Sequence, residues 1–334
     1  KREDMPEGVP SRFTRLPILE ATTFASWEEV SRVFAPLYST KDTIPAGSQL
    51  AAEVAKIANQ STDPLTRTAL ATRLVQDHVG YLLNGMSGGN YVPQAPAQTW
   101  MSRFGDCKAK SLLLLALLEA LGVKAEIVTV NTQIGDAVPQ LLPMPAAFNH
   151  VIVNAEIEGV TYWLDGTATG TRLANLDEVP PFRNALPIRS AGAPLITIAP
   201  RTPKAPQATV EMVIDQRAGI DLPALITAKT AITGVLASHL GAAISQASEN
   251  QKKEMAQAFA GPVFETLSEH GGLITDSDMI FDPEKAVATV TIKGIVTTQF
   301  RQYGGGKRME LASLGSANVT FDFDRSRMSW KTLP

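Results

Sequence analysis

The chain is poor in the residues that most often declare a function. One cysteine, Cys107, stands among 334 residues, which excludes an intramolecular disulfide framework and any zinc site built from several cysteines. There are four histidines, and no two of them share helical spacing with a glutamate, so metallohydrolase chemistry has little support. The longest unbroken apolar run, Leu112 to Leu118, has seven residues, against roughly 20 for a bilayer-crossing helix. Lys plus Arg is 30 and Asp plus Glu is 33, a formal charge of -3 that gives no basic footprint for nucleic acid or an anionic membrane. Gly304-Gly305-Gly306-Lys307 lacks P-loop spacing and reads as a flexible turn. Asp276, Asp278 and Asp282 lack the twelve-residue EF-hand pattern and read as solvated turn residues. With no cofactor motif and no metal set, any activity is expected to need no cofactor.

What is present is an ordinary globular composition, 44% hydrophobic and 19% charged, at a length that predicts two domains or three small ones. Residues 1 to 25 carry Pro6, Pro10 and Pro17 without a sustained period and read as an extended lead-in. Because the first residue is Lys1, they are expected to follow a domain or signal that precedes them. From Ser26, placed as an N-cap, Trp27, Val30, Val33, Phe34 and Leu37 recur at helical steps. Further helices are predicted over about 48 to 59 and from Asp63-Pro64 towards His78, Asp63 capping and Pro64 at the first helical position. Residues 84 to 99, rich in Gly, Asn, Pro and Gln, read as an irregular loop.

A helix starting at Asp106 or Cys107 and stopped by Gly122 would be apolar nearly all round after a polar first turn. It belongs in the middle of a domain with its Cys107 end towards a surface or cleft. Lys108 and Lys110 read as solvated residues of that first turn. Val123 to Val130 reads as a strand. Phe148 to Ile157 and Val160 to Asp165 form a hairpin across Glu158-Gly159, with Val151, Val153, Ala155, Ile157, Val160, Tyr162 and Leu164 on one face. The other face carries His150, Ile152, Thr161, Trp163 and Asp165, and this register sets Asp165 opposite Ile152, diagonal to His150 at about 7 to 8 Å between α-carbons. Pro194 to Pro206 reads as a domain boundary. Beyond it, strands at about 208 to 215, 286 to 299 and 317 to 323 surround a helical stretch of about 233 to 268, a second α+β unit.

Thiol chemistry needs a thiolate, a base and a group that fixes the base, and Cys107, His150 and Asp165 supply those types in order. A helix N-terminus favours the thiolate and presents the Cys107 N–H to an oxyanion. Asp165 would hold the ring of His150 in the tautomer that turns its other nitrogen to sulfur. Taken singly, Cys107 is a buried thiol, His150 a strand histidine and Asp165 a turn residue; the joint arrangement is what points to chemistry. His78, His239 and His270 join no motif. Trp100 could wall a groove, although packing is the simpler role.

Tyr91-Val92-Pro93, Trp100, Gly105-Asp106-Cys107-Lys108, the apolar helix, Phe148-Asn149-His150-Val151 and Tyr162-Trp163-Leu164-Asp165 together resemble the bacterial transglutaminase-like superfamily. The resemblance spans about residues 26 to 190. It implies an α+β, papain-like core in which helices pack on an antiparallel sheet with the cysteine at the N-terminus of a buried helix, followed by a second α+β domain. The organisation it implies is a lead-in over 1 to 25, a core over 26 to 200 and a C-terminal domain over 207 to 334. It further implies Cys107 as nucleophile, His150 as base and acid and Asp165 as the orienting group, with Trp100, Tyr91 and Trp163 as candidates for the substrate groove or oxyanion site. The branch it resembles most places this core after a β-sandwich domain of unknown function in exported bacterial proteins, which implies a periplasmic or envelope setting and a protein or peptide substrate. The chain departs from the family's pattern at Ala109, where a second Asp is expected, and at Asp165-Gly166-Thr167, where Asp-Pro-Thr is common. Met101 stands where papain-type enzymes place an oxyanion glutamine. Peptide or amide hydrolysis, amine transfer, and a binding or assembly module with a vestigial triad all remain open.

Overall fold

The computed structural model describes residues 11–13, 19–82, 86, 90–202, 204, 206–219, 222–267, 272–297, 301–303 and 306–308. The glycines at 304 and 305, His270 and the segment 317 to 323 lie outside these residues. Two units are distinguished, the second beginning at Pro206. Both are α+β.

The helices of the first unit start where short polar side chains can satisfy free N–H groups. Ser26 accepts from Glu29 N ahead of α1 (Trp27–Phe34), Ser48 from Ala51 N ahead of α2 (Gln49–Gln60), and Asp63 from Thr66 N ahead of α3 (Pro64–His78). The stretch 84 to 99, expected to be irregular throughout, contains the start of α4 (Pro96–Ser102). Pro96 sits at its first position, where a missing N–H costs nothing, and the loop composition around it masks the start. A two-residue parallel pair, β1 (Gly80–Tyr81) with β2 (Phe104–Gly105), then leads into α5 (Cys107–Ala120).

α5 is the centre of this unit. Leu113, Leu114, Leu117 and Leu118 have no exposure, and burying each contributes about 1.5–3 kcal/mol. The helix ends as expected at a left-handed Gly122, φ 78°. Beside it lies an antiparallel five-stranded sheet in the order β5-β4-β3-β6-β7, formed by β3 (Lys124–Val130), β4 (His150–Ile157), β5 (Val160–Leu164), β6 (Asn184–Pro187) and β7 (Ile196–Thr197). Ser111 Oγ donates to Val151 O at 2.8 Å and ties helix to sheet. Val151, Val153, Ala155 and Ile157 join the α5 core, whereas Ile152 packs with Val128, Val130 and Ala185 in a smaller cluster. β6 and β7, each four residues or fewer, carry too little alternation to be read in advance.

The β4–β5 hairpin has the register that the sequence predicts, pairing Ile157 with Val160 and Val153 with Leu164. Its loop residues Glu158 and Gly159 have φ of 52° and 76°, the pair of positive angles of a type I′ turn. Glutamate is strained there, since left-handed backbone costs an ordinary residue roughly 1–2 kcal/mol. Glu158→Asn is therefore expected to stabilise the protein by about 0.5–1 kcal/mol. A thermal melt with no rise in Tm would count against this turn geometry.

In the second unit β8 (Ala208–Asp215), β9 (Ala224–Thr233), β10 (Gly272–Asp282) and β11 (Val287–Val296) form an antiparallel sheet in the order β10-β11-β9-β8. α6 (Gly234–Gln246) and α7 (Glu249–Leu267) pack on it. Asp276, Asp278 and Asp282 are strand residues of β10, not turn residues. Ser277 and Met279 are buried while Asp276 and Asp278 alternate with them on the exposed side, where Asp276 pairs with Lys293 at 3.4 Å. Alternation of carboxylates with buried residues resembles a polar turn when read by composition. A short hairpin of β12 (Arg301–Tyr303) and β13 (Gly306–Arg308) follows.

Candidate active site

Asp106, Cys107 and their neighbours form a tight entry to α5. Asp106 caps the helix by accepting from Ala109 N at 3.0 Å, and its Oδ2 lies 2.6 Å from Lys108 Nζ. Gly105 leaves no room for a side chain: a Cβ there would stand 3.0 Å from Ala109 Cβ and from Thr99 Cγ2. Cys107 is the first helical residue, so its N–H belongs to the turn that has no intrahelical acceptor. The residue is 2% exposed.

Lys108 and Lys110 are not solvated as expected; they are 0% and 2% exposed. Asp106 neutralises Lys108, and the Lys110 ammonium donates to the carbonyl of Val79 at the end of α3. A buried ammonium is tolerated only when paired or hydrogen-bonded. Burial lowers the Lys110 pKa to about 8 against the opposing pull of Asp165 and Asp77.

His150 opens β4, paired with Val130. Asn149 holds its backbone: the N–H donates to Val130 O at 3.1 Å and the side chain accepts from Thr132 N at 2.9 Å. The ring Nε2 lies 2.8 Å from Asp165 Oδ2, and Cys107 stands near enough to act on the charge of the His150 ring. The Phe182 ring meets the imidazole edge-on at 5.9 Å. Burial alone would lower the His150 pKa, but hydrogen bonds and charge at Asp165 and Cys107 outweigh it and raise it to about 10.

Asp165 directly follows β5. Thr167 N and Oγ1 donate to Oδ1 at 2.8 and 2.7 Å, an Asx-type turn that leaves Oδ2 for His150. Burial raises the Asp165 pKa, while the bonds from His150 and Thr167 carry it below the usual carboxylate range. The structure thus places the hydrogen-bonded pair His150–Asp165 near Cys107 at the N-terminus of a buried helix. Gly166, within this turn, lies against the backbone of Lys110, with a Cβ position 3.4 Å away.

Each of the aromatic candidates has packing partners. Trp100 is 4% exposed, its ring edge-on to His78 at 6.4 Å and covered by the Arg103 guanidinium at 3.6 Å. Tyr91 stacks edge-on against Phe34 at 5.2 Å. Trp163 packs with the small cluster around Ile152. Residues not anticipated from the sequence also reach this region. The exposed Tyr81 has its pKa raised by burial of its ring and then by charge at Cys107, Asp106 and Asp165, and buried Tyr38 is raised in the same way by burial, Cys107 and Asp106. The Tyr38 hydroxyl has no hydrogen-bond partner among the described residues. Among those residues no group of three or more His, Cys, Asp and Glu comes together to hold a metal.

No protein-family model matches the sequence, and no curated protein matches it. The chain is similar in structure to a candidate protease from Parabacteroides distasonis, at 13% identity and a TM-score of 0.38 over 83% of this chain and 54% of that one. It is also similar to a candidate cysteine protease from Cytophaga hutchinsonii, at 16% identity and a TM-score of 0.29 over 40% of this chain and 42% of that one. The chain therefore spans about half the length of these structures or less, and at such TM-scores neither likeness bears on the chemistry of the site.

Proposed function

We propose that this chain is a cysteine-dependent acyl-transfer enzyme acting on amide bonds of a protein or peptide. The observation that supports the reading is the His150–Asp165 hydrogen bond with Cys107, at the N-terminus of α5, near the imidazole. In the proposed reaction the Cys107 thiolate attacks the amide carbon and the oxyanion forms beside the Cys107 N–H. The C–N bond then breaks as His150 gives its proton to the leaving amine, and a thioester remains. Water or a second amine attacks the thioester, His150 takes the incoming proton, and the thiolate is released. Asp165 keeps the ring aligned and balances its charge throughout. The resemblance to transglutaminase-like proteins adds a periplasmic or envelope setting to this proposal. Among the described residues no helix is long and apolar enough to cross a membrane.

A second reading, a binding or assembly module with a vestigial triad, is favoured by one observation: the thiol is almost wholly covered. Intact-mass analysis after acid quench separates the two. With peptide p-nitroanilides and with glutamine-containing casein, the expected result is an acyl adduct on Cys107 that is absent from Cys107→Ala. Incorporation of a fluorescent primary amine would identify transfer in place of hydrolysis. No adduct with either substrate class, in protein whose thiol still alkylates, favours the binding module.

A further inference from the structure

Asp165 is fixed at its carboxylate by Thr167, but that turn alone does not fix where the turn itself stands. Its position is set from α3. Gln76, 7% exposed, donates from Nε2 to Asp165 O at 2.8 Å and to Thr171 Oγ1 at 2.8 Å, and its Oε1 accepts from Thr171 N at 3.0 Å. Both amide hydrogens and the carbonyl oxygen are therefore engaged, and all three bonds go to one loop. The other buried positions of this helix are filled by Thr, Ala and Val, and a buried amide among them is costly unless its bonds are made. Nothing within α3 uses the amide. Its partners are the two ends of the segment from Asp165 to Thr171, so a single side chain closes the loop that bears the acid.

We propose that Gln76 is a positioning residue for the site: by holding the Asp165 carbonyl and Thr171 together it aims Asp165 Oδ2 at His150. This rests on the reading of Cys107, His150 and Asp165 as the working groups, but it concerns a residue outside those three. The charged groups around the clamp are Asp77 of α3, bridged to Arg73 at 3.1 Å and Arg172 at 3.3 Å, and Lys110 of α5. Gln76 carries no charge, so its replacement by an apolar side chain of similar length changes geometry and leaves that electrostatic set in place.

The test is the titration of the His150 imidazole, followed by NMR in protein with labelled histidine, in the wild type and Gln76→Met. Gln76→Met loses all three bonds and adds no charge. The expected result is a wild-type midpoint far above that of an ordinary histidine and a downward displacement in Gln76→Met. A tenfold fall in the protonation equilibrium would appear as a displacement of about one pH unit. Should Gln76→Met fail to fold, Thr171→Val removes one acceptor at a half-buried position and is expected to give a smaller displacement in the same direction. Folded variants whose midpoints coincide with the wild type overturn the inference and leave the proposed function standing. A wild-type His150 that titrates like a free imidazole overturns the proposed function itself.

Discussion

At pH 6 the rate of Cys107 alkylation by iodoacetamide, taken as a fraction of its alkaline plateau, should be at least about tenfold higher in the wild type than in His150→Ala. The expectation follows from the His150 imidazole, whose pKa is raised by Asp165 and Cys107, so that it stands charged near the sulfur at this pH. Comparing each protein with its own plateau removes two disturbances. The covered thiol reacts slowly in any variant, and a more stabilised thiolate is a weaker nucleophile. Since Cys107 is the only cysteine, the label reports one site. Asp165→Asn should lie between the two, because the ring loses its counter-charge but keeps a partner at Nε2. Coinciding acid limbs in the wild type and His150→Ala would mean that His150 does not act on the sulfur.

Much of the site's geometry was written locally. Glu158-Gly159 sets the hairpin register, the register places Asp165 diagonal to His150, and Asp106 ahead of an apolar run announces a helix with Cys107 at its start. The same local cues locate Ser26 and Asp63 at helix starts. What sequence could not show is what depends on packing between distant segments. Lys108 and Lys110 read as solvated by residue type, but one is neutralised by the capping Asp106 and the other reaches a carbonyl 31 residues away in sequence. Gln76 lies 89 residues from Asp165, in a helix whose pattern is satisfied without it, so no spacing rule selects it. Thr167 is the exception, because Asp-Gly-Thr is itself a turn signal with the threonine placed to donate back to the carboxylate. The strands β6, β9 and β10 were hidden for different reasons: the first is too short, and the others mix Thr, Lys and Asp on an exposed face with apolar residues inside.

Stability should also record the His150–Asp165 pair, and it is read most cleanly in Cys107→Ser, where the thiol proton no longer enters the balance. The folded pKa of His150 is raised above its ordinary 6.5, so its contribution is complete below pH 6.5 and is lost as pH rises through the folded value. Asp165 is shifted the other way; its contribution is present above pH 3.8 and is lost as pH falls through a folded value lower still. Cys107→Ser should therefore lose stability between pH 6 and pH 9 by about 1.4 kcal/mol for each unit by which His150 remains raised. Lys110 acts in opposition. Its folded pKa, lowered to about 8 from 10.5, makes the protein more stable as pH rises above 8, because burying the neutral amine costs less. Subtracting the curve of Cys107→Ser with Asp165→Asn largely cancels Lys110 and isolates the pair. Urea midpoints at pH 6 and pH 9 should then fall with pH in the single variant relative to the double variant. Parallel curves would show that Asp165 does not favour the imidazolium, and the carboxylate would lose its place in the proposed mechanism.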